Sequence, residues 1–133
     1  MRICIVGAGA IGGLIGTRLA AAGNSVSVIA RGATAEALRR HGWRLETAGT
    51  LLTAPAKVAT HAAELGAQDL VIVTVKGPSL ASVADGIGPL LQNPPLYLAQ
   101  CRLAGACDVA LVPRDQLFAD LRLGIVADEQ IHQ

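Results

Sequence analysis

The sequence predicts an α/β domain built on a doubly wound, mostly parallel sheet, and three observations carry that prediction. Short apolar runs alternate with stretches of helical spacing from the first residues onward. The strongest run, residues 69–75 (DLVIVTV), is continuous and β-branched, as a strand buried on both faces must be. Hydrophobic residues make up 52% of the chain, charged residues 16% and aromatics 2%. Val, Ile, Leu and Ala therefore have to build a core sandwiched between sheet and helices.

The elements follow in order. Residues 3–6 (ICIV) read as a short buried strand ended by Gly7. Ile11, Leu14, Ile15, Leu19 and Ala22 then recur at helical spacing, and Gly23-Asn24 stops that helix. Val26, Val28 and Ile29 mark a second strand, so strand, turn, helix and strand fit the size of one βαβ unit. A short helix is expected over residues 34–41, with Thr34 as N-cap and Gly42 as its stop. Residues 43–47 alternate like a half-exposed strand, Ala48-Gly49 turns the chain into 51–53, and 57–60 forms an edge strand. After 69–75, Pro78 suits the first turn of a helix whose face carries Leu80, Val83, Ala84, Ile87 and Leu91. Residues 96–99 (LYLA) read as another parallel strand, 109–112 as a strand and 115–123 as a helix.

At 133 residues the chain is long enough to bury roughly two thirds of its unfolded surface. A net charge of +1, with basic residues scattered and few aromatics, argues against a nucleic-acid partner. Cys4, Cys101 and Cys107 form neither an even disulfide framework nor a zinc spacing, so a reduced, cytoplasmic protein is expected. The apolar start is broken by Gly7, Gly9, Gly12 and Gly13 and lacks a cleavage site, which excludes a signal peptide. No uninterrupted apolar stretch reaches the roughly 18 residues a membrane span needs, so no membrane partner is expected.

The chemistry concentrates at the first turn. Gly7, Ala8, Gly9, Ala10, Ile11 and Gly12 form a G-x-G-x-x-G hexamer that leaves a strand and enters a helix, which is the context a dinucleotide fingerprint requires. Gly7 permits the tight turn, Gly9 lets the backbone approach a pyrophosphate, and Gly12 lets helix and strand pack closely. The unpaired N–H groups and positive dipole end of the helix favour the diphosphate. The fold is therefore Rossmann-like. Arg31 closes the second strand where an acid would accept the ribose 2′-hydroxyl of NAD, and no Asp or Glu occurs between Met1 and Ala35. A guanidinium there pairs with a 2′-phosphate, so NADP(H) is the expected cofactor.

Lys76 ends the strongest strand and is expected at the carboxyl edge of the sheet, near the nicotinamide or an anionic substrate. His41, His61 and His132 sit at a helix end, in a polar connection and at a terminus, positions that favour solvation over catalysis. Asp108, Asp115, Asp120, Asp128 and Glu129 make no acid pair or metal set, and Ser79 lacks a nucleophile elbow. No catalytic residue and no metal ligand is assigned.

Taken together, residues 2–13 (RICIVGAGAIGG), 19–23 (LAAAG), 28–32 (VIARG), Ala37-Leu38, Gly42, 69–76 (DLVIVTVK) and 88–91 (GPLL) closely resemble the N-terminal domain of the ketopantoate reductase family. The resemblance covers about the first 93 residues. It implies an NADPH-dependent reduction of a small 2-oxo acid, ketopantoate, to its 2-hydroxy acid in pantothenate biosynthesis. It further implies that Gly7, Gly9 and Gly12 hold the diphosphate, Arg31 the 2′-phosphate, and Lys76 the neighbourhood of the nicotinamide ribose. The family usually shows Asn-Gly after the strand corresponding to 96–99, where this chain reads Gln100-Cys101-Arg102. Its catalytic lysine and substrate-binding polar groups belong to a second, helical domain that these 133 residues do not contain. The expected organisation is a cofactor-binding domain over residues 1–99 and a divergent segment over 100–133. A homo-oligomer or a partner chain would supply the rest. The alternatives are a non-catalytic NADP(H)-binding module, a subunit of a split reductase, or a poorly folding remnant.

Overall fold

A computed structural model describes residues 1–75, 82–83, 86–91, 97–100 and 112–113, the last two stretches by their backbone. Arg2–Val6 forms β1, Ser25–Ile29 β2, Trp43–Thr47 β3, Thr50–Ala54 β4 and Lys57–Ala59 β5. Leu70–Val73 forms β6, Tyr97–Gln100 β7 and Val112–Pro113 β8. The main sheet runs β5-β2-β1-β6-β7-β8, parallel throughout except for the β7–β8 edge. Its parallel strands thus lie in the order third, second, first, fourth, fifth, and the direction of winding reverses between β1 and β6. That is the doubly wound topology expected, with its crevice outside the carboxyl ends of β1 and β6.

Alternation along each strand loads two cores on opposite faces. Cys4, Val6, Val71 and Val73 face one side with Leu90 and Leu91, while Ile3, Ile5, Val26, Val28 and Ile72 face the other with Trp43. Cys4 is fully buried, and burial pushes its thiol up to about 12. The reactive species is the thiolate, so Cys4 is an inert core residue in the native fold. With an alkylating reagent at pH 8, mapped by peptide, Cys4 is expected to stay unmodified until denaturant unfolds the chain. Labelling of Cys4 at the native rate of an exposed thiol would contradict its placement in the core.

Helix α1 (Ala10–Ala21) departs from its sequence pattern in one respect. Its most buried positions are Gly12, Gly16 and Thr17, while Ile15, Leu19 and Ala20 pack from the flank. Gly16 brings the helix onto the indole of Trp43, and Thr17 settles its buried hydroxyl by donating to the Gly13 carbonyl at 2.7 Å. The β3–β4 hairpin carries Trp43 to this contact, and its turn at Ala48-Gly49 has positive φ at both residues, as a two-residue type I′ turn requires.

Helix α2 (Gly32–His41) corrects an expectation. Its N-cap is Arg31, not Thr34, because Arg31 is still extended and the Ala35 N–H already reaches the Arg31 carbonyl. Gly32, at φ +59, makes that early start possible, and Gly42 ends the helix as expected. Of the helix expected after Pro78, most lies outside the described residues. The described part places Ile87 and Leu91 in the first core, with Gly88–Leu91 as a 3₁₀ turn. Of the strand expected over 109–112, Val112 is described, in β8, and the helix over 115–123 lies outside the described residues. Among the described residues, no helix is long and apolar enough to cross a membrane.

Candidate functional site

The glycine turn occupies the switch point of the sheet. β1 ends at Val6, and Gly7 reverses the chain at φ +97 while its N–H donates to the Ile29 carbonyl of β2 at 3.1 Å. From the other neighbour, Thr74 continues the β6 ladder with its N–H on the Val6 carbonyl at 2.9 Å. Its hydroxyl donates to the Gly7 carbonyl at 2.5 Å. The turn is therefore held from both adjacent strands.

Each glycine has a different reason to lack a side chain. A Cβ on Gly7 would press into Val75 at 2.7 Å, and one on Gly12 would collide with the Gly7 carbonyl and approach the Thr74 hydroxyl at 2.7 Å. These two close the joint between turn, helix and β6. Gly9 and Gly13 are the opposite, since a Cβ on either would meet nothing within 4 Å. Gly9 is also the N-cap of α1, with no side chain capping the helix and no acid in its first turn. The first intrahelical bond runs from the Gly13 N–H to the Gly9 carbonyl at 2.8 Å. The N–H groups of Ala10, Ile11 and Gly12 therefore have no intrahelical acceptor and form the positive end of the helix.

At this turn a cavity of about 610 Å³ opens along the carboxyl edge, lined from the β2 and β5 side and from beyond β6. That volume lies in the range of small-molecule sites. Gly7, Ala8 and Gly9 line it together with Arg31, Thr34, Thr60 and His61 from the β2 and β5 side and Val75, Val83 and Ile87 from beyond β6. Arg31 is exposed and forms no ion pair among the described residues. The residues present fit a dinucleotide: an uncrowded Gly9 at the positive helix end suits its central diphosphate, and the same cavity carries an unengaged guanidinium.

The expected Lys76 lies outside the described residues. Thr34, Thr60, His61 and Thr74 were not singled out as site residues by the sequence pattern, yet the first three line the cavity and Thr74 ties its glycine turn. The sequence pattern places His61 in a solvated polar connection. It is exposed, but the pairing of β2 with β5 carries it to the cavity wall. A short 3₁₀ turn, Ala62–Glu64, follows it. Glu64 Oε1 accepts the Thr60 hydroxyl at 3.0 Å, the His61 N–H at 3.2 Å and the Thr60 N–H at 3.4 Å. The Thr60 hydroxyl bond is the main cause that holds the Glu64 carboxyl below its ordinary value. Its Oε1 is thus engaged by its own turn. Among the described residues, no group of three or more His, Cys, Asp or Glu side chains could hold a metal ion.

A doubly wound sheet with a glycine turn at its switch point defines a Rossmann-like α/β domain. Within that class the chain belongs to the ketopantoate reductase PanE/ApbA family, whose profile matches residues 3–100. It is 48% identical over 92 residues to a 2-dehydropantoate 2-reductase from Mesorhizobium japonicum, a match that covers 68% of this chain and 28% of that protein. Among solved structures it resembles a candidate ketopantoate reductase from Ralstonia solanacearum at 52% identity and a TM-score of 0.69, covering 74% of this chain and 31% of the other. A PanE/ApbA family ketopantoate reductase from Ralstonia eutropha gives 32% identity and a TM-score of 0.67, over 75% of this chain and 34% of the other. The matched region thus spans about a third of the length of these relatives.

Proposed function

We propose that this chain is the NADPH-binding portion of a 2-dehydropantoate 2-reductase, an oxidoreductase that reduces ketopantoate to pantoate in the cytoplasmic synthesis of pantothenate. Residues 1–99 form the cofactor domain in this reading, and 100–133 a divergent segment. The observation that carries it is one cavity lined by both the glycine turn at the head of α1 and Arg31.

The N–H groups of Ala10, Ile11 and Gly12 hold the diphosphate, and Gly7 and Ala8 shape the turn that presents them. Gly9 leaves the backbone bare where the phosphate approaches. Arg31 pairs with the 2′-phosphate, with no acid on the cavity wall among the described residues to favour an unphosphorylated ribose. Lys76, three residues beyond the last residue of β6, belongs to the nicotinamide side. NADPH, when bound, supplies the hydride for the 2-oxo carbon. The proton and the grip on the 2-oxo acid come from the lysine and polar groups of the family's helical domain. Cofactor binding, rather than turnover, is therefore the property these residues can be tested for.

Exchanging the selecting charge is the direct test. Arg31→Asp is expected to weaken NADPH by roughly ten- to a hundredfold, the range for losing a hydrogen bond to a charged group, and to leave NADH no weaker than before. Nicotinamide fluorescence titrations of both chains read the two constants. Unchanged NADPH affinity in the variant would remove Arg31 from the site.

A further inference from the structure

The apolar run that forms β6 and continues past it, residues 70–75, is broken at one position, Thr74. The sheet itself does not call for a hydroxyl there, because the ladder bond is made by the backbone. The Thr74 N–H donates to the Val6 carbonyl at 2.9 Å, as any residue's would. The side chain serves the glycine turn instead. Its hydroxyl donates to the Gly7 carbonyl at 2.5 Å, across 67 residues of sequence.

That carbonyl has little choice of donor. A Cβ on Gly12 would come against both the Gly7 carbonyl and the Thr74 hydroxyl, so α1 lies directly on the bond between them. Among the described residues, no backbone N–H donates to the Gly7 carbonyl. The peptide linking Gly7 to Ala8 is planar and trans, so its carbonyl and its N–H point to opposite sides. With the carbonyl fixed toward Gly12 and Thr74, the Ala8 N–H faces away from that joint. No backbone carbonyl accepts it among the described residues, and Ala8 lines the cavity.

We propose that Thr74 is a positioning residue for the cofactor: its hydroxyl fixes the peptide between Gly7 and Ala8, and with it the angle at which the glycine turn meets the diphosphate. The inference rests on the dinucleotide reading and adds a group that acts through the turn rather than on the ligand. Without the hydroxyl, the Gly7 carbonyl lies against α1 with no donor, a cost that rotation of the peptide toward water relieves. The same rotation swings the Ala8 N–H. The pairing of β1 with β6 is kept, because its bonds belong to the backbone.

Titration of the full chain with NADPH and with adenosine 2′-phosphate, which has no diphosphate for the turn to meet, tests this role. Thr74→Val keeps the shape and removes the hydroxyl. It is expected to weaken NADPH about tenfold and leave adenosine 2′-phosphate unchanged. Thr74→Ser, which keeps the hydroxyl, is expected to bind both ligands as the native chain does. Circular dichroism checks the fold of each variant. Native NADPH affinity in Thr74→Val overturns the proposal, and so does a serine variant as weak as the valine one. Equal weakening of both ligands marks a merely structural role and overturns it too. Amide NMR of the native chain makes the test independent of the valine variant. The Ala8 resonance is expected to shift on saturation with NADPH and to stay in place with adenosine 2′-phosphate. An Ala8 resonance unmoved by NADPH, or moved equally by both ligands, overturns the positioning role alone. A native chain that does not bind NADPH overturns the dinucleotide reading and the positioning role with it.

Discussion

Gly12→Ala is expected to lose both cofactor binding and stability, whereas Gly9→Ala loses binding alone. A methyl group on Gly12 would land on the Gly7 carbonyl and crowd the Thr74 hydroxyl that bonds to it. Backbone cannot step aside as a side chain can, so helix α1 would have to move off β1 and β6. Overpacking of this kind costs about 1–3 kcal/mol and occasionally more. The N–H groups at the head of the helix would shift with it, and NADPH affinity should fall below detection. On Gly9 the same methyl meets open space. Folding should then change by no more than about 1 kcal/mol, the scale of an N-cap exchange. The methyl would still occupy the place proposed for the diphosphate. Urea unfolding and NADPH titration on both variants check the contrast. Equal stability of Gly12→Ala and the native chain would show that the joint is looser than described.

Trp43→Ala carries the largest expected cost to folding. Trp43 is 1% exposed, packs against the bare face of α1 at Gly16, and joins the second core with Ile3, Ile5 and Val28. Its indole N–H donates to the Val26 carbonyl at 3.4 Å, tying the β3–β4 hairpin to β2. Removing such a side chain leaves a cavity worth about 3–5 kcal/mol. Domains of this size have about 5–15 kcal/mol in all, so the variant should be near its unfolding threshold at physiological temperature. Trp43→Phe, which keeps most of the packing and loses the N–H bond, should cost about 1–2 kcal/mol. Thermal melts by circular dichroism measure both. The indole does not line the cavity, so the folded fraction of either variant should bind NADPH as the native chain does. A melting temperature within a degree or two of native for Trp43→Ala would contradict the packing.

Much of this was legible in the residue pattern because its causes are local. A continuous apolar run such as Leu70–Val73 can only be a strand covered on both faces, and it lies at the centre of the sheet between β1 and β7. The glycine hexamer announced its turn, since strand, glycines and helix follow one another along the chain. What escaped depends on neighbours far apart in sequence. Thr74 bonds to Gly7 across 67 residues, and no local pattern marks that hydroxyl. His61 looked like any polar connector until the β2–β5 register set it beside Arg31. The aliphatic periodicity of α1 pointed to its leucines and isoleucines. Its closest approach instead uses Gly12 and Gly16, where absent side chains let Gly7 and Trp43 come near. Thr34 suited an N-cap by residue type, but Gly32 let the helix start earlier and released its hydroxyl.

We propose that the cavity lined by the glycine turn and Arg31 selects a 2′-phosphorylated dinucleotide. Parallel titrations of the native chain with NADPH and NADH, followed by nicotinamide fluorescence at constant salt, measure it most directly. Binding of NADPH at least tenfold tighter than NADH is the predicted result, in line with a charge-assisted contact. Equal affinity for the two, or tighter binding of NADH, would contradict it.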